Sequence, residues 1–265
     1  MNLKTLDRRI CVITLLLILT AYGIWQLGPT TTLPQVLVCV VAAVALDLLI
    51  TKWREKIWYK PFSGIITGLI FAGVLTTGLP IYIAFIGIVI AILSKHFIHI
   101  QKRHIFNPAN FGLVIIALIF PQALHSWWIS TMVADITTLT VQNIAQLAVF
   151  FAFALYILIS KLKKTQFLIS FAVFYSLVLF IANVVANKSL PNIYLELGSI
   201  LFFMFVMMVE PVTSSPATRN KAFAYALVIA LLAVGFRFVN PGFNVVWALF
   251  IGNLLLPFIN KYFKF

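Results

Sequence analysis

The chain reads as an all-α polytopic membrane protein of about ten transmembrane helices, built as two five-helix repeats of opposite orientation. Three observations lead there. The 265 residues are 63% hydrophobic and 9% charged, with a mean hydropathy of +1.08. A soluble domain of this size cannot cover that much apolar surface, so hydrocarbon must be the solvent for most of it. The 19 Lys and Arg fall in short clusters between apolar runs. Two stretches also say nearly the same thing: His104-Ile105-Phe106-Asn107-Pro108-Ala109-Asn110-Phe111 and Arg237-Phe238-Val239-Asn240-Pro241-Gly242-Phe243. Their Asn-Pro pairs lie 133 positions apart, half the chain length.

Ten apolar segments carry the spans, at about 10–28, 33–51, 62–77, 80–94, 107–121, 143–160, 166–186, 194–209, 222–236 and 243–259. The first follows Lys4, Arg8 and Arg9; no clear small-residue cleavage site comes after it, so it reads as a retained span and not a signal peptide. The second ends at Lys52, Arg54 and Lys56. The third breaks at Gly78-Leu79-Pro80, and the fourth stops at Lys95. The fifth opens on Asn107-Pro108, an N-cap followed by a proline at the first helical position. The sixth ends before Lys161, and the seventh before Lys188. The eighth breaks at Glu210-Pro211-Val212-Thr213. The ninth follows Arg219 and Lys221, and the tenth ends at Lys261. Several are shorter than the ~20 residues a straight helix needs to cross the hydrocarbon. The charge pattern keeps each of them as a crossing.

With the N-terminus in the cytoplasm, 17 of the 19 basic residues fall on the inner side, and only Lys188 and Arg237 fall outside. That asymmetry places both termini inside. Clustered in this way, the net charge of +13 reads as membrane orientation and not as a nucleic-acid surface. Moved on by 133 positions, the first five segments land near the last five. Five is an odd number of crossings, so the second copy enters upside down. The expectation is one membrane domain, with a first five-helix repeat over 1–133 and a second, inverted one over 134–265.

In such folds, paired short or interrupted segments point to the ligand site. Here those are the breaks after segments three and eight, whose backbone groups need partners from protein, water or ligand. Two readings of Glu210 stand: a membrane-embedded carboxylate that is functional or paired, or a solvated helix end beside Arg219 and Lys221. Asp47, close to Lys52, reads as interfacial, and so does Glu196. Asn107 is either a plain cap or part of a helix start that holds a phosphate or carboxylate together with Arg103. His96, His99 and His104 share one basic loop with no acidic residue nearby in sequence. They read as solvated or phosphate-facing more readily than as metal ligands. Cys11 and Cys39 lie in separate apolar runs, a poor arrangement for a disulfide and too few thiolates for an iron–sulfur cluster. No histidine sits in mid-span to hold a haem, and no Walker loop, zinc signature or nucleophile–base pair is present.

Three stretches resemble one known family. They are Ser94-Lys95 with Arg103-His104-Ile105-Phe106-Asn107-Pro108-Ala109, then Val209-Glu210-Pro211-Val212-Thr213-Ser214, then Phe236-Arg237 with Asn240-Pro241 and Ala248 to Pro257. In order and spacing they are similar to the NqrB/RnfD family, membrane subunits of ion-translocating electron-transfer complexes. Phe106 to Gly112 also resembles shorter, stand-alone relatives. The resemblance implies a ten-span inverted repeat akin to urea transporters, with FMN or riboflavin as cofactor. In the family a separate transferase attaches FMN on the outer side to a threonine in Ser-Gly-Ala-Thr. The equivalent position here is Thr140, but Thr138 and Leu139 stand where the motif has glycine and alanine. A β-branched residue resists the turn that glycine supplies, which counts against a covalent link. Glu210 replaces the family's aspartate.

The leading expectation is therefore a multi-pass subunit of the inner (plasma) membrane that binds a flavin and passes electrons. The residues singled out are Arg103, Asn107, Glu210, Thr213 and, for attachment, Thr140. Expected partners are membrane lipid and other redox subunits or a soluble electron carrier, with no nucleic acid. If the chain takes part in catalysis, it would be as the electron-transfer subunit of a membrane oxidoreductase complex. The alternatives are a small-solute channel or transporter of urea-transporter-like fold without a cofactor, and a non-catalytic assembly subunit.

Overall fold

The computed structural model describes residues 7–100, 103–124, 164–185, 193–210, 213–214, 216–239 and 243–262. These are nearly all helical. Thr140, the segment expected at 143–160 and the second Asn-Pro pair lie outside the described residues.

Helix α1 (Arg8–Leu27) starts on Asp7, whose carboxylate accepts from the Arg9 N–H at 2.9 Å. It stops at Gly28, where φ is +89°. Side chains rarely adopt that backbone, and no atom crowds the missing Cβ, so conformation and not space requires glycine. Pro29 then opens α2 (Pro29–Glu55), with its fixed φ at a first-turn position that needs no donor. A single residue thus joins the two helices, and both pack against the helix that follows.

Helix α3 (Phe62–Val74) is short and lies against α2. A Cβ on Gly68 would come within 2.7 Å of Val40 Cα and 2.9 Å of Cys39 O. Together with Gly64, four residues earlier, this is the small-residue contact that lets membrane helices approach backbone to backbone. The helix ends at Val74, three residues short of the expected Thr77, and its last carbonyls are not left orphaned. Gln35, buried in α2, donates its amide to Ala72 O at 2.8 Å and Leu75 O at 3.0 Å. After Gly78 (φ +80°) the chain turns into α4 (Ile81–Phe97).

A two-stranded hairpin follows, a feature that hydropathy did not reveal. Strand β1 (His99–Ile100) pairs antiparallel with β2 (Arg103–His104), with His99 opposite His104 and Ile100 opposite Arg103. Next is α5 (Pro108–Ile119), capped by the Asn107 side chain, which accepts from Asn110 N at 3.1 Å. A 3-10 turn over Pro121–Leu124 ties back to the α3 break through Thr76 N to Ala123 O at 2.9 Å.

Later in the chain come α6 (Thr165–Val185), α7 (Ile193–Phe202), a π-turn over Phe203–Met207, α8 (Arg219–Val239) and α9 (Asn244–Tyr262). Helices α2, α4 and α5 pack in succession, and so do α6, α8 and α9. The two groups meet where α5 touches α9: Asn110 Nδ2 donates to Val246 O at 3.1 Å, and Phe106 stacks on Phe250 with centroids 4.8 Å apart.

Among the described residues, α1, α2, α6, α8 and α9 are long and apolar enough to cross a bilayer. Their outer faces carry large apolar side chains such as Leu17, Val41, Leu49, Phe180, Val184 and Phe258, each more than 45% exposed. Water would not tolerate that density of exposed apolar surface, whereas acyl chains would. The architecture is that of a polytopic helical membrane protein.

Candidate functional site

Two cavities flank the point where the hairpin, the start of α5 and the break after α7 converge. The first, about 500 Å³, is walled by Arg9 and Val12 of α1, by Ser63, Ile66, Thr67 and Ile70 of α3, by Asn107 and Pro108, and by Val206, Val209 and Glu210. The second, about 560 Å³, lies on the other side of His104 and is lined by Arg103, Thr213 and the end of α9 from Asn253 to Lys261. Four expected site residues thus come to one place, Asn107 and Glu210 at the first cavity and Arg103 and Thr213 at the second. Thr140 is not among the described residues.

The partition between the cavities is a short hydrogen-bonded chain. His104 Nε2 lies 3.3 Å from Glu210 Oε1, and the Thr213 hydroxyl donates to Glu210 Oε2 at 2.8 Å. Of the two readings of Glu210, the paired one describes its surroundings: its partners are His104 and Thr213, and among the described residues no ion pair joins it to Arg219 or Lys221. Local sequence explains the arrangement. The π-turn ends with Met208 N on Phe203 O at 2.9 Å, and the carbonyls beyond it need new donors. Lys164, just ahead of α6, supplies them, with its ammonium 2.7 Å from both Glu210 O and Ser214 O. Burial pushes that ammonium down to about 7, against the opposing pull of the Glu210 carboxylate. The α5 end contributes differently. Asn107 is 3% exposed and spends its oxygen on the cap, which leaves its amide nitrogen for the cavity, and the buried Asn110 Oδ1 has no hydrogen-bond partner among the described residues.

A second polar cluster was not anticipated. Asp47, expected to be interfacial and near Lys52, is fully buried. Its carboxylate accepts from Lys95 Nζ at 2.6 and 2.7 Å, lies 2.7 Å from His96 Nε2, and also accepts from the Tyr59 hydroxyl. Arg54 donates to His96 O in the same corner. The expectation of solvated or phosphate-facing histidines fails for His96, which is 8% exposed and held by Asp47. The loop's lack of acidic neighbours holds along the chain but not in space, because α2 brings Asp47 to His96 and the α7 break brings Glu210 to His104. Tyr59 is held above the ordinary phenol range by burial and by the adjacent Asp47.

Sequence reasoning missed Lys164, Gln35 and Asn253 as site-forming residues. Lys164 was legible as a basic residue preceding a span, but its acceptors lie 46 and 50 positions away. A cavity of about 500 Å³ with apolar walls and a few convergent polar groups has the size and lining of a small-molecule site. Apolar side chains of α1, α3 and the π-turn suit a flat aromatic ring system, and Asn107, Thr67, Ser63 and Glu210 offer hydrogen bonds at its edge.

Residues 2–265 match the NQR2, RnfD, RnfE family. The D component of the ion-translocating oxidoreductase complex of Mannheimia succiniciproducens is 35% identical over 97 residues, covering 35% of this chain and 27% of the relative. The D component of the proton-translocating ferredoxin:NAD(+) oxidoreductase complex of Clostridium ljungdahlii is 31% identical over 108 residues, 40% of this chain and 32% of the relative. The ion-translocating oxidoreductase relative from Escherichia fergusonii aligns more widely, at 22% identity across 91% of this chain and 88% of the relative. In the stronger local matches, then, the chain spans about a quarter to a third of the relatives' length.

Proposed function

The chain belongs to the NQR2, RnfD, RnfE family, and on that footing we propose that it is a membrane subunit of an ion-translocating oxidoreductase complex that binds a flavin in the cavity of about 500 Å³ at the α7 break. The observation that carries the reading is the coincidence of a family match across the whole chain with a polar-edged apolar cavity at an interrupted helix.

Asn107 and Glu210 would hold the flavin at one edge, Thr213 fixes the Glu210 carboxylate, and Arg103 adds positive potential from the far side of His104. The bound flavin supplies the electron-transfer chemistry that side chains lack. The chain's own contribution is position, exclusion of bulk water by α1 and α3, and a fixed arrangement of charge. The choice between FMN and riboflavin, and covalent attachment at Thr140, belong to the same proposal. So do partner redox subunits or a soluble carrier, and an inner (plasma) membrane location with both termini cytoplasmic.

Ten spans in a 5+5 inverted repeat, with halves at 1–133 and 134–265, are also part of it. This is supported by the matching succession of α2, α4 and α5 with α6, α8 and α9, and by the Asn110 contact that joins the two groups.

Purification of the full chain in an uncharged detergent tests the reading. The expected product is yellow, with flavin released on denaturation and its content reduced in Asn107→Ala and Glu210→Gln. In-gel fluorescence after denaturation, lost on Thr140→Ala, marks a covalent link. Colourless protein that conducts a small uncharged solute in liposomes overturns the flavin reading in favour of a channel.

A further inference from the structure

We infer that the second cavity, between the β1–β2 hairpin and the end of α9, is a binding site for a phosphate ester. Its chemistry differs from that of its neighbour. Arg103 and Lys261 both line it, and neither has a carboxylate partner among the described residues. His104 closes one side, with Glu210 facing the other cavity. Lys261 also lies 4.9 Å over the Tyr262 ring, and two cations with no carboxylate partner among the described residues disfavour a metal ion and favour an anion.

The deep wall carries an independent sign of a missing ligand. Asn253 lines the cavity and is 1% exposed. Its Oδ1 accepts from the Tyr225 hydroxyl at 2.7 Å and the Ser214 hydroxyl at 3.4 Å, while its Nδ2 has no partner among the described residues. Turning the amide over does not help, because both neighbours are hydroxyls and one of the two amide atoms is still left unused. A buried amide of this kind is rarely left unpaired.

A guanidinium fork, an ammonium and a buried amide approach from different elements, β2 and α9. A carboxylate presents two oxygens in a plane, whereas a phosphate presents three around a tetrahedron and fits donors arriving from several directions. The volume exceeds that of a bare phosphate, and Ile100, Ile105 and Leu256 make part of the lining apolar. The remainder of the ligand is therefore apolar where it meets these residues. Two sources share this chemistry: the headgroup of an anionic phospholipid and a soluble phosphate ester. Leu254 and Phe258 of α9, 46% and 57% exposed, give acyl chains a surface beside the cavity.

The test uses the full chain in an uncharged detergent. Its thermal midpoint is followed against inorganic phosphate and glycerol phosphate, with chloride holding ionic strength constant. In parallel, the chain is reconstituted with phosphatidylcholine containing phosphatidylglycerol, and retained lipid is counted by native mass spectrometry. Saturable stabilisation by phosphate, or selective retention of phosphatidylglycerol, is expected. Either should weaken about tenfold, the loss of one charge-assisted hydrogen bond, in Arg103→Gln and in Lys261→Gln. Lys60→Gln, which removes the same charge from an exposed loop, should leave both unchanged. Retention of phosphatidylglycerol without glycerol phosphate binding assigns a lipid headgroup, and the reverse assigns a soluble ester. The site is refuted if neither probe binds, or if Lys60→Gln weakens binding as much as Lys261→Gln does. Because Lys261 is exposed on the last turn of α9, its variant folds and the result is readable. Failure here leaves flavin content untouched, so it is distinguishable from failure of the flavin reading.

Discussion

Replacing Asp47 by alanine should be among the most damaging single changes in the first half of the chain. The carboxylate is fully buried and receives Lys95 twice, at 2.6 and 2.7 Å, together with His96 at 2.7 Å and the Tyr59 hydroxyl. Its removal strands an ammonium whose side chain is 14% exposed, and leaves a phenol and an imidazole without their acceptor. Breaking a buried ion pair from one side costs about 3–5 kcal/mol, because the remaining charge is uncompensated. Lysine can bend its stem toward water, which pulls the value toward the lower end. Lys52 provides the contrast. Among the described residues its ammonium makes a 3.5 Å contact with Lys56 O and lies 5.3 Å over the exposed Trp58 ring, so Lys52→Ala should cost no more than about 1 kcal/mol. The assay is equilibrium unfolding in mixed micelles, followed by helical circular dichroism. Asp47→Ala combined with Lys95→Met should recover much of the loss, since an apolar replacement of the whole pair is close to neutral. Equal, small effects of Asp47→Ala and Lys52→Ala would refute the buried cluster and restore an interfacial Asp47–Lys52 pair.

Two further perturbations use the same assay. Gly68→Ala should destabilise by about 1–3 kcal/mol, because the new methyl meets the α2 backbone at 2.7 Å; Gly235→Ala, where nothing lies within 4 Å, should be neutral or stabilising. The depressed Lys164 ammonium makes a pH signature. The folded state disfavours its charged form, so the penalty is absent above the ordinary value of 10.5, grows as pH falls, and is complete below about 7. Stability should therefore rise with pH across that window, by at most about 1.4 kcal/mol per unit from this group. The difference between the native chain and Lys164→Met isolates the contribution, and a difference independent of pH from 7 to 10 refutes it.

Hydropathy and charge located the helices because lipid imposes a single requirement on every exposed position. Of the helix boundaries in the first five helices, the Asn107 cap with Pro108 was legible, whereas the Asp7 cap of α1 and the Gly28-Pro29 junction, four residues ahead of the expected second span, came only from the structure. The breaks after α3 and α7 were legible from Gly78 and from Glu210-Pro211. What sequence could not supply was the partner of each polar group. Asp47 sits five residues from Lys52, but on α2 it faces α4, 48 positions on, where Lys95 and His96 wait. Nearness along the chain pointed to the wrong cation because a helix presents residues five apart on different faces. The hairpin that aims Arg103 and His104 escaped notice because two-residue strands leave no periodic signal.

The two breaks are closed by the same device, and this bears on the proposed duplication more directly than the Asn-Pro match does. Helix α3 ends early, and the amide of Gln35, from the first turns of the preceding helix α2, takes its stranded carbonyls. Helix α7 ends in a π-turn, and the ammonium of Lys164, at the entrance of the preceding helix α6, takes the carbonyls beyond it. Each break thus uses one polar residue at or just before the start of the preceding helix. Chance repetition of an Asn-Pro dipeptide would not carry that relation along. The break after α7 differs from the break after α3 in one respect that matters for the proposed site. It ends on a carboxylate held by His104, which precedes α5, so the cavity beside Glu210 is walled by residues from both groups of helices.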